Sequence, residues 1–176
     1  ARRQRQMCIR DRVNSGKENG VNDPEYLMKV EALVNFLRSQ PNISSVRSYT
    51  DVVKRLNQNL NEDDESFYKV PNSELEAAQY LFLYELSLGY GLDLTDQINV
   101  DKSALRVTAN VSKTTTKGFL ELDKKVQSWF DENAPELSTK STGTSQVFSK
   151  ISSRDVPAML KGCLLYTSDA ADEQFG

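Results

Sequence analysis

The chain has 176 residues, with 22 Lys and Arg, 25 Asp and Glu, no His and a formal net charge of −3. The lack of His excludes Ser–His and Cys–His nucleophile pairs and His-based metal sites within this sequence. The mildly acidic balance gives no electrostatic attraction for nucleic acid or for an anionic membrane surface. No apolar run approaches the roughly 18 residues that a transmembrane helix requires.

The two ends of the chain are related through their codons. Gln6 to Asp11 can be encoded as CAG ATG TGT ATA AGA GAC, and the opposite strand of that DNA, shifted by one base, encodes Cys163 to Ser168. The relation extends through Arg2 to Arg5 on one strand and through Asp169 to the start of Glu173 on the other. The shared DNA resembles the transposase adapter of sequencing libraries. We therefore interpret residues 1–12 and 163–176 as translated adapter and exclude them from the fold. We expect both ends to pack poorly against the rest of the chain.

The domain of interest is thus residues 13–162, which we expect to be an internal fragment of a longer protein. Both cysteines, Cys8 and Cys163, lie outside it, so we predict no disulfide and no Cys metal site. Five of the basic and four of the acidic residues also lie in the ends, which leaves a net charge of −4. A stretch of this length suffices for one domain with a sizeable core.

The first half of the domain predicts a helix, a strand and a second helix. The helix spans Pro24 to Gln40, because Asp23 can cap it and Pro24 suits its first turn. A short strand at Ile43 to Tyr49 and a helix at about Asp51 to Leu60 follow. The acidic run Asn61 to Glu65 lacks the ligand pattern of a calcium loop and is interpreted as a solvated loop. The inward stripe of the first helix is predicted to comprise Tyr26, Val30, Leu33 and Leu37.

The segment from Leu75 to Leu88 predicts a helix that is apolar almost all round. Ser73 and Glu76 have the spacing of a capping box at its start. Such a helix is either the buried centre of the domain or has one face reserved for another domain. The second interpretation predicts that apolar surface stays exposed around Tyr80, Leu83 or Tyr84.

The remaining segments predict two strands and two helices. Alternation of apolar and polar residues marks a strand at Ala104 to Val111, with its apolar face formed by Leu105, Val107, Ala109 and Val111. A helix at Thr116 to Asn133 is predicted to turn Phe119, Leu122, Val126 and Trp129 inward. A strand is predicted at Gln146 to Ser152, with a further helix from Ser153.

The order of these elements predicts an α+β fold in which helices pack on a small sheet. A ferredoxin-like split βαβ arrangement fits the order best. Two or three strands are too few for such a sheet, so we expect the fold to be incomplete and part of the sheet to come from elsewhere.

Two long stretches, "DPEYLMKVEALVNFLRSQPNISSVRSYTDVVKRLNQNLNEDD" and "AAQYLFLYELSLGYGLDLTDQINVDKSALRVT", resemble the first large periplasmic loop of MMPL-type transporters. These transporters are the hydrophobe/amphiphile exporter branch of the resistance-nodulation-division (RND) superfamily. The closing "VFSKISSRDVPAMLKG" is similar to the segment that leads into the second membrane helix of such a protein. The likeness covers residues 13–162 and includes no catalytic motif.

The resemblance implies a porter-type domain of a proton-driven exporter of lipids or other lipophilic molecules, located at the bacterial inner membrane and facing the periplasm. The implied partners are the rest of the transporter (its membrane helices and second periplasmic loop) and lipophilic cargo, and the resemblance leaves open a second copy in a homo-oligomer. Nucleic acid is not among them. The proton-carrying carboxylates of such transporters would lie in membrane helices. We therefore assign no catalytic, cofactor-binding or metal-binding residue and expect no cofactor. Asp96, Asp101 and Arg106 are interpreted as surface or structural groups. The alternatives are a soluble periplasmic binding or adaptor module and, least favoured, an enzyme.

Overall fold

The computed structural model describes residues 7–89, 94–112, 114–137 and 144–173. These residues form three β-strands and five α-helices, together with short 3-10 turns. The strands are β1 (Met7–Asn14), β2 (Ile43–Arg47) and β3 (Ala104–Val111). The helices are α1 (Pro24–Arg38), α2 (Tyr49–Leu60), α3 (Glu74–Ser87), α4 (Thr116–Asn133) and α5 (Thr144–Glu173).

The sheet is antiparallel and has the strand order β1-β3-β2. Both outer strands run antiparallel to β3 and hence parallel to each other, with α1 connecting them. A parallel βαβ unit with another strand inserted at its centre is the split βαβ arrangement. The α+β fold class predicted from the sequence is therefore confirmed.

The core lies on one face of the sheet, where the alternation of β3 and the stripes of α1 and α4 meet. All four predicted inward residues of β3 and all four of α1 are buried. In α4 the prediction holds for Phe119, Leu122 and Val126. Trp129 is only half-buried and stacks on Phe36 with ring centroids 5.8 Å apart, while Phe130 occupies the core instead.

Tyr26 of α1 joins the first and third strands through its hydroxyl. The hydroxyl donates to the carbonyl of Val13 at 2.8 Å and accepts from the amide N–H of Leu105 at 3.1 Å. Burial raises the pKa of this phenol, against a smaller opposing effect of the Leu105 amide. The helix is thus attached to the sheet by a polar contact inside an otherwise apolar core.

The first strand contradicts the expectation that residues 1–12 pack poorly. Met7 to Asn14 pair with β3 along its whole length, and Ile9 is 1% exposed. The physical reason is that β3 presents unsatisfied N–H and C=O groups on this side, which any extended segment can pair. Ile9 and Val13 lie on the core face of this strand, with the buried Asp11 between them on the same face. The adapter origin of the segment stays a prediction, because pairing does not report which DNA encoded it.

The predicted strand at Gln146 to Ser152 is wrong, because these residues lie in α5. Val147 and Ile151, which a strand would turn inward, are exposed, and the buried side chain of this turn is Ser149. Short apolar runs do not distinguish helix from strand by periodicity alone. At the other end of α5, Cys163 is exposed as expected for a poorly packed terminus, and the side chains beyond it lie outside the described residues.

Helix α3 begins as predicted after Ser73, but the capping box does not form. The side chain of Ser73 makes no capping hydrogen bond to the helix. In α2, Val53 is buried and Leu60 is exposed, while Lys54 and Asn57 are buried. Propensity and spacing thus located both helices, whereas the choice of buried face followed from their packing.

Candidate functional site

Asp96, Asp101 and Arg106, which were predicted to be surface or structural groups, lie on the surface. Arg106 and Asp96 form an ion pair of 3.3 Å in which the Asp96 side chain is 97% exposed. Asp101 is also exposed. Among the described residues, no three potential ligands are grouped to hold a metal ion. These groups therefore form a solvated polar surface.

A pocket of about 410 Å³ opens on the sheet face that carries no core. It lies between the end of β2 and Gln97, whose carbonyl accepts the N–H of Arg106 at 2.7 Å. Its charged lining mixes Arg10, Arg47 and Arg106 with Asp51 and Asp96. Because three Arg and two Asp line it, their charges largely offset each other and do not favour a strongly charged ligand.

A buried ion cluster joins α1 to α2 beside this pocket. The ammonium of Lys54 lies 2.6 Å from Glu31 and 3.3 Å from Asp51, and its side chain is only 7% exposed. Asp51 in turn accepts from Arg38 at 2.6 Å. Burial lowers the pKa of Lys54, but its hydrogen bond to Glu31, supported by the charges of Glu31, Asp51 and Tyr68, outweighs that effect and raises the pKa overall.

A groove of about 440 Å³ runs between α2 and α3. Val52 and Leu56 form one wall, Tyr84 the other, and the ring of Tyr68 closes one side. Lys54 and Arg55 lie over the Tyr68 ring at 4.9 and 5.9 Å from its centroid, so the cations fix the ring through cation–π contacts. An apolar groove with a charged rim is suited to a lipophilic ligand.

The outward face of α3 carries an apolar stripe. Leu75, Phe82 and Leu86 are 68%, 59% and 66% exposed. Their spacing of seven and four residues places them on one side of the helix. The buried side consists of Ala77, Tyr80 and Leu81. We call the three exposed residues the α3 stripe.

The exposed face expected on this helix is confirmed, but Tyr80 does not belong to it. Tyr80 is buried, and its hydroxyl donates to Asn57 Oδ1 at 3.0 Å. Leu83 is 41% exposed and Tyr84 is half-buried at the groove. A helix that is apolar on all sides gives no sequence signal for which side faces inward. The hydrogen bond from Tyr80 to Asn57 on α2 marks the inward side, and the sequence pattern does not reveal this pair.

Helix α5 also presents apolar residues to solvent. From Lys150 to Cys163 every residue is exposed, including Ile151, Val156, Met159 and Leu160. Its earlier part contacts α4, where Lys150 lies 3.8 Å from Asp123. Across the described residues, no helix is both long and apolar enough to cross a membrane.

The chain was compared with protein-family models, with curated proteins and with solved structures. None of the three comparisons found a match.

The groove and the ion cluster were not predicted from the sequence. The predicted second helix includes Val52 and Leu56, but the sequence did not indicate that they line a groove. The available signal was Lys54, which lies among the apolar positions of an amphipathic helix. A charged residue at such a position needs a buried partner, and the partner, Glu31, lies 23 residues away.

Proposed function

We propose that this chain is a periplasmic porter portion of a proton-driven exporter of the RND/MMPL type. In this role it contacts lipids or other lipophilic molecules and performs no covalent chemistry. Its partners are the membrane helices and second periplasmic loop of the same transporter, and it faces the periplasm at the bacterial inner membrane.

The single observation that carries the proposal is the sequence likeness over residues 13–162. The α+β fold is compatible with it, because α1 and α4 of this stretch pack on a sheet that includes β2 and β3. A fold by itself does not define a function. The apolar groove between α2 and α3 adds a site of suitable chemistry for lipophilic cargo.

Leu56→Arg is expected to weaken binding of the lipophilic fluorescent probe N-phenyl-1-naphthylamine at least about 10-fold. The substitution places a charge on the wall of the groove, where an apolar probe loses its contacts. Probe fluorescence on titration with the protein gives the Kd of each variant. Leu60→Arg is the matched control, because Leu60 lies one turn further along α2, is exposed and does not line the groove. Equal affinity in both variants would remove the groove as the binding site.

The DNA that flanks the fragment tests the transporter directly. We expect the longer genomic read to encode a run of about 20 apolar residues soon after Gly162 and another before Val13. A stop codon or a polar domain directly after Gly162 would favour the alternative, a soluble periplasmic binding or adaptor module. The groove experiment is independent of this result, because either kind of protein can bind a lipophilic ligand.

A further inference from the structure

Two apolar surfaces lie exposed among the described residues, and the charged side chains beside them have opposite signs. The α3 stripe lies on a helix with three Glu and no Lys or Arg. Glu85 pairs with Lys102 at 2.8 Å, and Glu74 and Glu76 are exposed beside Leu75. An apolar stripe with acidic neighbours fits a helix whose own apolar residues have basic neighbours.

Helix α5 has this second composition. Its projecting part lies beyond the contact of Lys150 with Asp123 on α4, at residues 151–163. This part contains Arg154 and Lys161 against the single acid Asp155, with which Arg154 forms an ion pair of 3.6 Å. Val156, Met159 and Leu160 follow the i, i+3, i+4 spacing of one helix face and are all exposed. We call these three residues the α5 stripe.

The projecting part of α5 also needs stabilisation that the described residues of its own chain do not provide. Isolated helices of about 12–15 residues are marginal in water. Pro157 lies inside the helix and removes one of its backbone hydrogen bonds. No residue from Lys150 to Cys163 is buried. Contact with an apolar surface would supply the missing free energy.

We propose that the α5 stripe of one copy docks on the α3 stripe of a second copy, and that the exchange is reciprocal. A single contact of three helical turns covers less than the ~800 Å² per partner that specific interfaces bury. Two such contacts related by a two-fold axis double the buried interface area, and they cover the α3 stripe and the α5 stripe of both copies. Pairing of α3 with α3 is disfavoured, because it brings together two helices that carry only acidic charges.

Sedimentation velocity of the full chain at concentrations from 1 to about 500 μM tests the proposal. We expect a monomer–dimer equilibrium. Phe82→Asp in the α3 stripe and Met159→Asp in the α5 stripe should each weaken dimerisation at least about 10-fold, because each places a carboxylate in an apolar contact. All altered positions are exposed, and unchanged circular dichroism will verify folding of the variants. Val100→Asp is the control, since Val100 is 85% exposed and belongs to neither stripe.

Mixing the two variants distinguishes the reciprocal exchange from other dimers. A Phe82→Asp copy retains its α5 stripe and a Met159→Asp copy retains its α3 stripe, so the mixture should dimerise more strongly than either variant alone. A monomer at every concentration would overturn the proposal. A dimer sensitive only to Phe82→Asp, or only to Met159→Asp, would also overturn it, because it would pair α3 with α3 or α5 with α5. Absence of recovery on mixing would do the same.

Discussion

Deletion of residues 1–12 is expected to lower the free energy of unfolding by about 3–6 kcal/mol. The deletion removes six of the eight residues that β1 pairs with β3 and leaves the edge of β3 open. It also removes Ile9, a fully buried side chain whose loss alone costs about 2–5 kcal/mol. At about 2–4 °C per kcal/mol for a chain of this size, the melting temperature should fall by roughly 10 °C.

Point variants in β1 separate packing from the effect of shortening the chain. Ile9→Ala should reproduce much of the loss, since it leaves a cavity next to Ala109 on β3. Cys8→Ala is the matched control, because the neighbouring Cys8 is on the opposite face of the strand and is only partly buried. A truncated chain that melts within two or three degrees of the intact one would show that β1 contributes little and that the poor packing expected from the sequence was correct.

Lys54→Met is expected to destabilise the domain by about 3 kcal/mol at pH 7. The replacement keeps the apolar volume but leaves Glu31 and Asp51 without the ammonium that lies between them. Removal of one partner from a buried ion pair costs about 3–5 kcal/mol, and the lower end applies because Glu31 retains 18% exposure. Urea denaturation of both proteins gives the difference in unfolding free energy.

The difference in unfolding free energy between the wild-type protein and Lys54→Met is expected to depend on pH in a defined direction. Because the folded pKa of Lys54 is raised above 10.5, the stabilisation is fully present below that value and is lost as the pH rises through the raised pKa. The difference between the two proteins should therefore shrink in strongly alkaline solution. Arg55→Met is the control, since Arg55 is the next residue of α2 and is exposed, and its effect should stay within about 1 kcal/mol. Equal losses for the two variants would mean that the buried ion cluster adds no stability.

The sequence by itself determined the elements with a clear period and clear ends. Helix α1 has a capping Asp23, whose side chain accepts the N–H of Glu25. Its apolar spacing correctly named four of its six buried residues and missed Leu27 and Val34. Strand β3 alternates over its whole length, and its inward face was likewise predicted. In these segments the local pattern and the tertiary environment agree, because one face must be buried and only one face is apolar.

The tertiary structure alone decided the remaining features. Met7 to Arg12 became a strand because an open sheet edge pairs with an extended segment whatever its source. Residues 146–152 became helix although their short apolar pattern fits a strand, and the side chain that is buried among Val147 to Ser152 is the polar Ser149. The inward side of α3 depends on the hydrogen bond of Tyr80 to Asn57, and the burial of Lys54 depends on its pairing with Glu31. Both partners are distant in sequence, and a pattern of single residues contains no information about such pairs.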